Sequence, residues 1–162
     1  MKNPALEQSL VDLSKDFGVD VLSLPISIFS GPILPPAYTS SEGIFIHEQI
    51  LAKEPKNTKV YLGHEILHHV LREEEATGEF HNQIVGIAED YKINQILYQK
   101  LGYDVRRVGI RGLFKRSYHR LSVRDICQNL THKHDVTKVS CGSFGVVHPL
   151  ILETPFYFDL FF

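Results

Sequence analysis

The sequence predicts an α+β fold, on three observations. Apolar residues recur at helical spacing over residues 4–17 and 82–101. An apolar, histidine-bearing run over about 58–72 reads as a further helix. β-Branched and aromatic residues gather in runs too short for helices. The expected arrangement packs two of the helices on a short, mostly antiparallel sheet. With 162 residues, 43% of them hydrophobic and 22% charged, the chain is long enough for one core and ordinary for a globular protein.

The elements follow in order. Leu6, Leu10, Leu13 and Phe17 share one face of a helix over 4–17, and Gly18 stands where such a helix stops. Residues 19–36 are apolar but broken by Pro25, Pro32, Pro35 and Pro36, so a strand is expected over 19–24 and then a loop. Residues 39–43 read as a polar turn, and Gly43-Ile44-Phe45-Ile46-His47 as a short strand. Residues 49–53 suggest one helical turn and 55–57 a loop. Thr58 is then the expected N-cap of a helix running to about Arg72. Glu73, Glu74, Glu75 and Gly78 mark an exposed acidic connection. The second long helix, Asn82 to Leu101, is apolar over a wide arc, and Gly102 closes it. After an irregular stretch over 103–121, Ser122 caps a short helix to about Leu130, with Asp125 in its first turn.

Charge and cysteine usage narrow the function classes. A net charge of −2 gives no global drive toward nucleic acid or an acidic membrane. Residues 105–124 nonetheless hold seven basic residues and no acid, from Arg106 and Arg107 to Arg120 and Arg124. A solvated face balanced by acids elsewhere is the first reading of that stretch, and a nucleic-acid surface the second. Cys127 and Cys141 form no CxxC pair, which fits a reducing compartment. No apolar leader and no run of 18 apolar residues is present, so a cytoplasmic protein without membrane association is expected. The expected domain spans 1–131. A tail over 132–162 ends with five aromatics among residues 154–162 and reads as a final strand, a docking segment for a protein partner or a ragged end.

The most informative residues are His64-Glu65-Ile66-Leu67-His68, an HExxH pattern. In a helix, residues four apart stack on one face with Cβ atoms roughly 5–6 Å apart. Two imidazole nitrogens then converge on one zinc ion at about 2.0–2.1 Å each, with the Glu65 carboxylate beside them. His69 is rotated about 100° from His68 and faces elsewhere. A catalytic zinc takes three protein ligands and keeps the fourth position for water. The third ligand is sought on the following helix, where Glu89 and Asp90 stand within an apolar arc. An ionised carboxylate is expensive to bury unless a charge compensates it, and a metal is such a charge. Asp90 is preferred and Glu89 is the alternative. Asn94, one turn beyond Asp90, is placed to accept the free N–H of a ligand imidazole and fix its tautomer.

Gly63-His64-Glu65-Ile66-Leu67-His68, followed by Ala88-Glu89-Asp90-Tyr91-Lys92-Ile93-Asn94, resembles the metallopeptidase domain that often precedes a von Willebrand factor A-like domain in bacterial and phage proteins. Residues 41–46, 93–97 and 121–130 agree more weakly, and the resemblance covers roughly 37–131. It departs at Glu89, where the family has a small residue, and the tail carries no VWA-like signature. The resemblance implies a zincin-like core, with zinc on His64, His68 and a downstream acid. It also implies that the strand ahead of the HExxH helix is a substrate-binding edge.

The expected activity is hydrolysis of a peptide or protein substrate, with Glu65 as general base for a zinc-activated water. The strand at 43–47 is expected to take an extended peptide by strand addition. Tyr103, Tyr118, His119 and His81 are candidates for stabilising the oxyanion; His81 is also placed to cap the second long helix. Two competing classes remain. A fourth protein ligand such as Glu89 would make a closed, non-catalytic zinc site of an interaction domain. The 105–124 stretch would make a nucleic-acid-associated module.

Overall fold

A computed structural model describes residues 3–31, 37–52, 55–70, 78–103 and 113–133. The expected acidic connection at 73–75, Arg106, Arg107 and Arg111 of the basic stretch, Cys141 and the aromatic tail lie outside the described residues. The chain divides into two compact units, residues 1–70 and residues 71 onward.

The first unit opens with α1, Pro4–Phe17. Asn3 caps it, its side-chain oxygen accepting from the Ala5 and Leu6 N–H groups at 3.0 and 3.2 Å. Pro4 follows at the first helical position, where its missing N–H costs nothing. Gly18 ends the helix in the left-handed conformation, φ 67°, donating its N–H to Ser14. Leu10 and Leu13 form the buried stripe.

The strand expected over 19–24 is displaced to β1, Ile26–Phe29. Residues 20–24 turn instead. The Asp20 carboxylate accepts from the Leu22 N–H, and the Leu24 N–H donates back to the Val21 carbonyl. This is the local side-chain bonding by which Asp competes with a strand ladder. The polar residues read as a turn contain a strand missed in the sequence: β2, Ala37–Ser40, precedes a turn confined to Ser41 and Glu42. β3, Gly43–His47, lies where expected. The strand order is β1-β3-β2, with β1 parallel and β2 antiparallel to β3. The sheet is therefore mixed rather than mostly antiparallel.

A short α2, Glu48–Leu51, leads to α3, Pro55–Val70. The expected loop at 55–57 is the first turn of α3, again with Pro at its start. Thr58 lies inside the helix rather than capping it, and its hydroxyl donates to the Ile50 carbonyl at 3.1 Å. Helix α3 packs on α1, α2, β2 and β3. Val60, Leu62 and Ile66 are fully buried, each worth about 1.5–3 kcal/mol relative to exposure. An ion pair between Lys59 and Asp12 joins α3 to α1.

In the second unit, α4 runs Asn82–Leu101 and closes on Gly102 at φ 68°. A 3-10 turn at Arg116–Tyr118 precedes α5, Val123–Lys133. Helices α4 and α5 pack through Ile84, Val85, Ala88, Val123, Ile126 and Cys127, with Tyr118 in the same core. Among the described residues the molecule is thus α+β, with five α-helices and one three-stranded sheet. No described helix is long and apolar enough to cross a membrane.

Candidate metal centre

Helix α3 carries the HExxH residues in its C-terminal half, where the helix is buried almost all round from Leu62 to Leu67. His64 is 9% exposed and Glu65 3%. His68 is half-buried, and His69 and Val70 are exposed, so His69 points away as expected. The helical repeat stacks His64 and His68 with ring centroids 4.8 Å apart. Their Nε2 atoms face each other at 3.1 Å.

That separation tests whether the pair fits a metal. Two nitrogens each about 2.0–2.1 Å from a tetrahedral zinc lie about 3.3–3.4 Å apart. A distance of 3.1 Å needs only a slightly narrower angle at the ion, so the two imidazoles fit one zinc without rebuilding the helix. The same distance also suits an N–H···N hydrogen bond between the two rings.

Glu65 is a buried carboxylate, and desolvating one costs several kcal/mol unless it is compensated. Part of the compensation comes from β2. The Thr39 hydroxyl lies 2.8 Å from Glu65 Oε2 and 3.1 Å from the Glu65 backbone carbonyl. Sequence reasoning missed Thr39, because it assigned residues 39–43 to a turn and the contact spans 26 positions.

On α4, Asp90 and Glu89 are half-buried and Asn94 is 2% exposed. Of the expected ligands, His64 and His68 belong to the first unit and Asp90 to the second.

The oxyanion candidates separate. Tyr118 is 4% exposed and serves the second unit's core, edge-on to Tyr91 with ring centroids 5.0 Å apart. Burial first, and then the neighbouring Tyr118, push the Tyr91 phenol up. Lys115 sits 4.5 Å over the Tyr118 ring. His81 is the N-cap of α4, accepting from the Gln83 N–H at 3.4 Å. His119 is exposed and Tyr103 half-buried.

Two further expectations change. The strand at 43–47 is paired on both sides, so it has no edge to offer a peptide. Of the basic stretch, Arg124 is committed to an ion pair with Glu79 at 2.8 Å.

No protein-family model, curated protein or solved structure matches this chain. The functional reading therefore rests on the site itself.

Proposed function

We propose that the protein is a zinc-dependent peptidase. The observation that carries this reading is the facing of the His64 and His68 Nε2 atoms at 3.1 Å, next to a carboxylate only 3% exposed. His64, His68 and Asp90, the acid preferred from the sequence, would hold the ion; a catalytic zinc takes three protein ligands of this kind and keeps a fourth position for water. Asn94 is assigned the N–H of a ligand imidazole. When bound, zinc supplies Lewis acidity, lowering the pKa of water toward about 7 and polarising a scissile carbonyl.

The chain's own residues do the rest. Glu65 takes the proton of the attacking water at a carboxylate oxygen. The water oxygen adds to the carbonyl carbon, the C–N bond breaks, and Glu65 delivers the proton to the leaving amine. An extended peptide would add not to β3 but to β2, whose outer side carries no strand among the described residues.

The test is paired. Zinc per chain is measured by elemental analysis after metal-replete purification, and cleavage of a quenched-fluorescent peptide library is compared for wild type and Glu65→Gln. One zinc per chain is expected in both proteins, with cleavage lowered roughly 10²–10⁴-fold in the variant. A wild type without zinc, or a variant that cleaves as well as wild type, overturns the reading.

A further inference from the structure

We propose that Thr39 is the positioning residue for Glu65: its hydroxyl holds one carboxylate oxygen so that the other is committed to proton transfer. This rests on the reading of Glu65 as general base. Two observations and one general requirement carry it.

The first is geometry. Thr39 Oγ1 lies 2.8 Å from Glu65 Oε2 and 3.1 Å from the Glu65 carbonyl oxygen. A hydroxyl has a single proton to give. The shorter contact, to the charged oxygen, takes it, because hydrogen bonds to ionised acceptors are shorter and stronger than neutral ones. Oε2 is thereby tied to the sheet.

The second is rigidity. Thr39 is not on a loop. It lies in β2, with Ile44 of β3 opposite it in the ladder, and Ala37 on the same face is 2% exposed. A β-branched side chain in a strand has few χ1 choices, so its oxygen is delivered to a fixed point. Helix α3 packs on β2 around this contact.

The third is the need. Glu65 has a flexible side chain, and the reacting atoms must be held close to productive geometry. A misplacement of about 1 Å costs on the order of 10²-fold in rate. A carboxylate free to rotate would spend much of its time turned away from the water.

The test compares Thr39→Val, which keeps the shape and removes the hydroxyl, with Thr39→Ser, which keeps the hydroxyl. Thr39→Val is expected to bind one zinc per chain and to lose roughly ten- to a hundredfold in kcat, with KM within about twofold. Thr39→Ser is expected to recover kcat to within a few-fold of wild type. A readout independent of cleavage is the urea midpoint of the metal-free protein. There Thr39→Val and Glu65→Ala should act non-additively, since the two residues share one bond.

Four outcomes overturn the proposal: kcat retained in Thr39→Val, a serine variant as poor as the valine one, additive midpoint shifts, or a wild type that cleaves no peptide. The parallel Glu65→Gln measurement separates the causes. Cleavage retained there means Glu65 is not the base. Cleavage lost there but kept in Thr39→Val means Thr39 does not position it.

Discussion

Gly43 is a residue for which no other side chain will serve. Its φ of 141° is one that side-chain-bearing residues rarely adopt, and a Cβ there would sit 2.3 Å from the Pro25 carbonyl oxygen. That carbonyl accepts the Ile44 N–H at 2.9 Å, so it cannot simply move aside. Gly43→Ala should destabilise the protein by about 1–3 kcal/mol, the cost of a strained backbone position. Urea unfolding checks this, and an unchanged midpoint would show that the turn gives way instead. Legibility at this scale follows sequence distance. The facing of His64 and His68 was readable because i,i+4 stacking is a local property of a helix. The Thr39 contact was not, because nothing near Thr39 reveals which carboxylate a folded sheet will bring to it. His47 is similar: it was read only as the end of a strand. Its Nδ1 accepts the Gln49 N–H and its Nε2–H donates to the Gly31 carbonyl, which orients the buried ring.

At the level of elements, helices were legible where their ends carry the chemistry that ends them. Gly18 and Gly102 both take left-handed conformations, and Asn3, His81 and Ser122 all stand at helix starts. Strands were harder. Residues 19–24 had the composition of a strand, but Asp20 offered the Leu22 N–H a closer partner than any ladder. The α5 start supplies a test. Ser122 Oγ accepts the Asp125 N–H at 3.1 Å, while the Asp125 carboxylate accepts from the Ser122 hydroxyl and N–H at 2.7 and 3.1 Å. Those bonds from Ser122, hydroxyl first, hold the Asp125 pKa below its ordinary value of 3.8. Asp12 is lowered too, chiefly by its bond to Lys59. A depressed folded-state pKa means that the unfolded chain binds the proton more readily. The contribution of both groups is then fully present above about pH 4 and is lost as pH falls through the folded values. Ser122→Ala should cost about 1 kcal/mol at neutral pH. Asp125→Asn should flatten the acid limb of the stability curve below pH 4, and an acid limb of unchanged slope would remove Asp125 from this account.

For the molecule as a whole, composition and periodicity sufficed for an α+β chain but not for its strand order. Pairing β1 with β3 places residues 26–29 beside 44–47, across the intervening β2. Such nonlocal ladders depend on how the whole sheet closes over α3, which no window of sequence contains. The candidate site divides the same way. The pairing of His64 with His68 was legible in five consecutive residues. The Thr39 hydroxyl beside Glu65 was not, because 26 positions separate the two residues.

The central place of β3 has a consequence for solvent exchange. A strand with neighbours on both sides engages its amides alternately with one and the other, so all of Gly43–His47 is shielded. In β1 and β2, amides on the outer side lack a strand partner among the described residues. In deuterated water the β3 amides should therefore be the last in the sheet to exchange, at rates set by opening of the whole first unit, while alternate amides of β2 exchange through local fluctuations. Uniform exchange across all three strands, measured by NMR, would contradict the strand order and with it the position of Thr39.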